Sequence, residues 1–185
     1  MSLRLSGGRN LQSPPGLTAR PTPARVRQAV MNMLAAELPG CRWLDLCSGS
    51  GVMACEALQR GAARVVAVEN DRHNTAVARA NLEAVATGLQ GASVQVHQSE
   101  VLRWLRGGPA ARGEEPFDLI YADPPYAAGL YETLASAVLS GGWLQAGGEL
   151  LLECASNKLP AEPEGWELMD QRRYGTTTVL RLQQR

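Results

Sequence analysis

The sequence predicts an α/β fold on a seven-stranded mixed sheet. Two observations carry that reading. Short apolar runs alternate with amphipathic stretches from Arg42 to about Leu139, and two turns with unusual composition, Asp45-Leu46-Cys47-Ser48-Gly49-Ser50-Gly51 and Asp123-Pro124-Pro125-Tyr126, each follow one of those runs. Strand and helix in alternation imply right-handed crossovers and a parallel sheet covered on both faces.

Taken in order, Leu3 and Leu5 suit a short strand before Gly7-Gly8, and Asn10-Leu11-Gln12 a return strand. Thr22 is expected to cap a helix with Pro23 at its first position, and Val26, Val30, Met33 and Leu34 recur at helical spacing. Residues 1–38 read as an N-terminal appendage with a basic helix, and 39–185 as the main domain. There, strands are expected at Trp43–Cys47, Arg64–Glu69, Ser93–His97 and Phe117–Ala122. Helices are expected at Val52–Gln59, about Asp71 to Ala86, Val101–Leu105 and Leu130–Leu139. Glu149–Cys154 makes a fifth strand. Trp166–Met169 and Thr177–Leu182 lie too close together for a crossover helix, so they should form an antiparallel hairpin through the turn near Tyr174-Gly175, which makes the sheet mixed.

The chain has 185 residues, of which 45% are apolar, a normal size and composition for one compact domain. No apolar run approaches the roughly 20 residues that span a bilayer, and Met1-Ser2-Leu3-Arg4 leads into glycines, so a cytoplasmic protein is expected. Cys41, Cys47, Cys55 and Cys154 contain no CxxC pair and only two histidines accompany them, which disfavours zinc; no metal is expected. Cys47 and Cys154 fall in expected strands and read as small apolar filler.

Net charge is zero but unevenly spread. Residues 1–36 hold Arg4, Arg9, Arg20, Arg25 and Arg27 with no acid; residues 170–185 hold Arg172, Arg173, Arg181 and Arg185 against Asp170 alone. Between them lie nine basic and seventeen acidic residues. Two basic ends on an acidic body would make a polyanion-facing patch if the fold joins them. Arginine supplies seventeen of the eighteen basic side chains, which suits forked phosphate contacts, although a GC-rich coding bias enriches arginine as well.

In the first turn, Gly49 and Gly51 permit close backbone approach, and the following helix offers unpaired amides. The Lys-Ser/Thr ending of a P-loop and the third Rossmann glycine are both missing, with Cys55 near the place of the latter. Asp45 precedes the turn, where its carboxylate can order the loop and meet a cationic ligand end. Glu69 ends the second strand, where its oxygens can accept from a ribose diol. So acidic a cleft serves a diphosphate badly and favours S-adenosylmethionine, which carries a cationic sulfonium and the ammonium group of an amino acid. Glu100, after the third strand, is placed to accept from an adenine amine while Val101 packs on the ring; a helix cap formed by Ser99 with Glu100 behind it explains both residues without a ligand.

The second turn ends the fourth strand, at the sheet end where open α/β folds bind ligands. Asp123 and the Pro124 carbonyl can accept the two hydrogens of an exocyclic amine, and Tyr126 offers a face for a flat base. A simple surface turn capped by Asp123 is the plainer reading. The four residues suit guanine-N2 and adenine-N6 alike.

The segments Leu17–Val30, Asp45–Gly51 and Asp123–Tyr126, with Arg4 to Gly8 and Tyr174-Gly175-Thr176-Thr177, resemble the bacterial 16S ribosomal RNA guanine-N2 methyltransferases, of the small-subunit methyltransferase D type. That resemblance implies a class I, Rossmann-like methyltransferase fold, S-adenosylmethionine as cofactor, and guanine in 16S ribosomal RNA or the assembling 30S subunit as substrate. It implies a cofactor site from Asp45, Cys47, Ser48, Gly49, Gly51, Glu69, Asn70, Glu100, Val101 and Asp123. It implies a guanine pocket from Asp123, Pro124 and Tyr126, and an RNA-facing side with Arg4, Arg9, Arg20, Thr22, Arg25 and Arg27. Cys47-Ser48 stands where the family usually has Phe-Ala, and the hairpin between Gly8 and Leu17 is short and poor in basic residues. A monomer is expected. Adenine-N6 methylation of DNA or RNA is the nearest rival, although the connections leave little room for the target-recognition insertion of a DNA enzyme. A non-catalytic RNA-binding assembly factor would explain the basic ends but has no need of the two turns.

Overall fold

The computed structural model describes residues 3–14, 22–125 and 130–185; Arg20 and Tyr126 lie outside them. The described residues fall into two compact units, Met1–Ser99 and Glu100–Arg185.

In the first unit, β1 (Leu3–Arg4) and β2 (Asn10–Leu11) form an antiparallel hairpin with Leu3 opposite Leu11. Helix α1 (Ala24–Met33) buries Val26, Val30 and Met31, and Leu34 just beyond it is also buried. Its N-cap is Pro23, with no side-chain cap bond, so the helix begins one residue later than expected and Thr22 precedes the cap. Three strands then run parallel in the order β5 (Ser93–Gln98), β4 (Arg64–Glu69), β3 (Arg42–Leu46). β3 and β4 carry apolar residues on both faces, as buried parallel strands do; β5, at the edge, alternates exposed and half-buried residues at its start. Helix α2 (Val52–Gln59) is buried through seven of its eight residues, and α3 (Arg72–Ala86) is capped by Asp71, whose carboxylate accepts from Asn74 N–H at 2.8 Å.

In the second unit, α4 (Val101–Leu105) precedes β6 (Phe117–Ala122) and α5 (Leu130–Ser140). The strands follow the order β6, β7 (Leu144–Ala155), β9 (Thr177–Gln184), β8 (Trp166–Tyr174). β6 and β7 are parallel, while β9 is antiparallel to both of its neighbours, so the seven strands make the expected mixed sheet. β7 starts five residues earlier than expected because Gly147-Gly148 is a bulge, not a stop. Phe117 pairs with Leu144 and Leu119 with Glu149, with the extra residues accommodated between. β8 extends through polar, exposed residues that give no alternation to read. Trp104 stacks on Trp143 with centroids 4.6 Å apart, and the Trp143 indole donates to Leu105 O at 3.0 Å.

Charge burial corrects the basic-end reading. Arg27 is 4% exposed. Its guanidinium donates to Thr22 O at 2.8 Å and Arg4 O at 2.6 Å, and its Nε lies 3.7 Å from Glu56 Oε1 on α2. The same Glu56 oxygen accepts Ser6 N–H at 3.0 Å. Arg27 therefore fastens β1 and the start of α1 to α2, and its side chain is withdrawn from any RNA face. In the C-terminal hairpin, Arg181 grips Glu149 with two donors, Arg172 pairs with Asp170 at 2.7 Å, and Arg185 pairs with Glu162. Three of those four arginines are neutralised by carboxylates of their own unit.

Replacing Arg27 by Met should cost about 3–5 kcal/mol, because it leaves the Glu56 carboxylate buried without its counter-charge. Urea unfolding would show this, and the double variant R27M/E56L should lose less than the sum of the two single changes.

Candidate functional site

The glycine turn sits where β3 gives way to α2. Cys47, Gly49 and Gly51 have φ of 61°, 54° and 74°. Cys47 is therefore not the strand filler expected: β3 stops at Leu46, and Cys47 lies half-buried in the turn in a left-handed conformation that costs an L-residue roughly 1–2 kcal/mol. A Cβ on Gly51 would lie 3.1 Å from the Ala78 Cβ of α3, so helix and turn pack at glycine distance. A Cβ on Gly49 would meet nothing within 4 Å, which leaves open space for a ligand beside the backbone.

Four backbone amides in and just after this turn are spent on the protein itself. Ser48 N–H donates to Val68 O at 3.0 Å and Gly51 N–H to Ser48 O at 2.8 Å. Gly49 N–H donates to Glu69 Oε2 at 2.7 Å, and Ala54 N–H, in the first turn of α2, to Asp45 Oδ2 at 3.0 Å. A loop that cradles a diphosphate must present its amides to the ligand; here two of these donors go to carboxylates. The turn is an acidic cleft edge, not an anion nest.

Asp45 is 2% exposed and orders the turn from a buried position. Glu69, half-buried at the end of β4, also accepts Asp71 N–H through Oε1 at 2.8 Å, so it joins the glycine turn to the start of α3. Each of its oxygens keeps a second acceptor direction for a hydroxyl. Asn70 is exposed beside it, and Ser48 is half-buried with its Oγ lacking a partner among the described residues. These residues fit a ligand with hydroxyls and positive charge.

In the second unit Glu100 is itself the N-cap of α4. Its carboxylate accepts Leu102 N–H at 2.9 Å and Arg103 N–H at 2.8 Å, so the cap falls one residue later than the expected Ser99. Val101 is buried behind it. Asp123 follows β6 directly and is half-buried, Pro124 is buried and Pro125 exposed. The strand before them carries one half of a polar pair that sequence reasoning missed. The Tyr121 hydroxyl, on β6, donates to the Glu153 carboxylate on β7, and the two residues are 1% and 3% exposed. A lone acid inside Leu150-Leu151-Leu152-Glu153-Cys154 was the available signal, since a buried carboxylate demands a partner. Burial, then the negative charges of Glu153 and Asp123, push the adjacent Cys154 thiol up to about 11.

The expected RNA-facing residues separate. Arg4, Arg9 and Arg25 are exposed, with one Arg9 donor on Ala84 O at 2.6 Å; Thr22 and Arg27 are buried. Among the described residues no group of acids, cysteines and histidines could hold a metal ion, and no helix is long and apolar enough to cross a membrane.

A family model described as conserved hypothetical protein 95 matches residues 5–183. The chain is 32% identical over 179 residues to ribosomal RNA small subunit methyltransferase D of Escherichia coli K12, covering 96% of this chain and 85% of that one. Its counterpart in Haemophilus influenzae is 29% identical, over 84% of this chain and 78% of the relative. The solved structure of the methyltransferase yhhF from Escherichia coli superposes with a TM-score of 0.81 at 29% identity, covering 100% of this chain and 98% of its own.

Cys47 is half-buried while Cys41, Cys55 and Cys154 are buried, so a thiol reagent at pH 8 should modify Cys47 alone in the native protein. The raised Cys154 thiol stays protonated in the folded protein after it ionises in the unfolded chain. Its contribution to stability is therefore complete below about pH 9 and lost as pH rises through about 11. Urea midpoints across that range should fall more steeply for the native sequence than for Cys154→Ala.

Proposed function

Because the chain belongs to the ribosomal RNA small subunit methyltransferase D family, we propose that it methylates the exocyclic N2 of a guanine in 16S ribosomal RNA, in the assembling 30S subunit, with S-adenosylmethionine as methyl donor. The observation that carries the cofactor reading is the spending of the Gly49 and Ala54 amides on Glu69 and Asp45. An acidic, amide-poor turn favours a cationic ligand over a dinucleotide. Glu69 would hold the ribose hydroxyls, and the open backbone at Gly49 would admit the ligand, with Asp45, Cys47, Ser48, Gly51 and Asn70 completing this part. Glu100, whose carboxylate accepts the two cap bonds, would meet the adenine amine beside Val101.

When bound, S-adenosylmethionine supplies an electrophilic methyl group on a positively charged sulfur. Guanine's amine is a poor nucleophile because its lone pair is shared with the ring. Asp123 and the Pro124 carbonyl would accept its two hydrogens and favour a lone pair free to attack. Those contacts strengthen as the nitrogen gains positive charge, so they act on the transition state more than on the bound base. The released proton goes to the Asp123 carboxylate or to solvent. Tyr126 would stack on the base, with the two prolines holding the turn stiff. The exposed Arg4, Arg9 and Arg25, with Arg20, would contact RNA phosphate; Thr22 and Arg27 support that segment from inside. Work on the ribosomal particle belongs in the cytoplasm, and nothing in the reaction calls for more than one copy of the chain.

Incubating the protein with labelled cofactor and unmethylated 30S subunits, free 16S RNA or DNA, then digesting to nucleosides, should give N2-methylguanine from a ribosomal substrate. N6-methyladenine in its place would overturn the reading. Asp123→Ala should lower turnover by about 100-fold or more while leaving cofactor affinity nearly unchanged; full activity in that variant would remove Asp123 from its role.

A further inference from the structure

Asn81 lies on α3 and is 2% exposed, a carboxamide among the buried Ala78, Leu82 and Val85 of the same helix. A polar group buried there needs partners, and it reaches in two directions. Oδ1 accepts Gln12 N–H at 2.8 Å, and Nδ2 donates to Gln12 O at 3.0 Å, so the side chain pairs with one backbone residue as a strand would. Nδ2 also donates to Ser50 O at 3.1 Å, inside the glycine turn. Gln12 follows β2 directly and leads toward the arginine-bearing stretch before α1. One turn of helix earlier, Ala78 presses on Gly51. The backbone of the N-terminal hairpin and the backbone of the glycine turn thus share one buried amide, and neither can move without giving up a bond to it.

We propose that Asn81 is a positioning residue that couples the cofactor turn to the N-terminal RNA-contacting segment, so that S-adenosylmethionine and ribosomal RNA each bind more tightly in the presence of the other. The inference rests on the function proposed above. Its physical content is that a ligand fixing Ser50 also fixes Asn81, and a partner ordering the segment at Gln12 then has less freedom left to remove. By linkage the effect is reciprocal. The Ser6 bond to Glu56 and the Arg9 bond to Ala84 O fasten the same hairpin to α2 and α3 but touch no residue of the turn, which singles out Asn81.

Equilibrium dialysis with labelled S-adenosylhomocysteine, a product that does not turn over, measures the coupling on the full chain with and without unmethylated 30S particles. The native protein should bind it tighter with the particles present, within the ~5–150-fold usual for coupled sites. Asn81→Ala should bring that ratio toward unity. Gln12→Pro removes the Gln12 N–H and side chain and leaves the Asn81 bonds to Gln12 O and Ser50 O; it should keep the native affinity without 30S particles and lower the ratio. A purely structural role for Asn81 would lower both affinities and leave the ratio unchanged, which overturns the proposal. An undiminished ratio in Gln12→Pro overturns it also, even if Asn81→Ala fails to fold. No S-adenosylhomocysteine binding by the native protein overturns the functional reading and this inference with it; binding that 30S particles leave unaltered overturns this inference alone.

Discussion

The carboxylate of Glu69 fixes the glycine turn around which the first unit is arranged. One oxygen holds Gly49 N–H and the other Asp71 N–H, so the ends of β3 and β4 and the start of α3 meet at a single side chain. With Asp45 on Ala54 N–H, two acids satisfy backbone donors that a nucleotide-phosphate loop would leave for its ligand. The same act gives the turn its shape and its sign. A left-handed Cys47, where the chain accepts backbone strain, is held in place by that network.

The remaining charge is arranged for structure as much as for recognition. Glu56 and Arg27 bury an ion pair that ties the hairpin to α2, and Glu149 with Arg181 joins β7 to β9. Buried pairs of this kind add little net stability against an apolar alternative, but they penalise any arrangement that separates them. The hairpin and α1 are thereby set in one arrangement on the helices behind the glycine turn. The exposed arginines of that segment inherit a defined position from the buried one.

Much of this was legible in the sequence where a residue's role follows from local periodicity. The buried strands β4 and β6 and the helices α2 and α4 lie where apolar spacing put them, because both faces of a parallel strand and one face of a helix must be covered. Boundaries slipped by one residue at two caps: Pro23, with no side-chain cap bond, and Glu100, with two, cap α1 and α4 in place of Thr22 and Ser99. The strand expected from Glu149 begins at Leu144 instead, since only the neighbouring strand's register reveals the bulge at Gly147-Gly148. The arginine clusters misled for a related reason. Counting charge along the chain cannot reveal that Arg27 meets Glu56, or that Asn81 meets Gln12 and Ser50, because those partners are 29, 69 and 31 residues apart. The acidic pair at Asp45 and Glu69 stands out in the sequence, while its amide partners became visible only in three dimensions.

The most direct measurement is calorimetric titration of S-adenosylmethionine into the native protein and into Glu69→Ala. One site on the native chain, weakened about tenfold or more in the variant, is expected if Glu69 both shapes the turn and offers the ligand its acceptors. Equal affinity in the two proteins, or no binding by the native one, would contradict the placement of the cofactor at this turn.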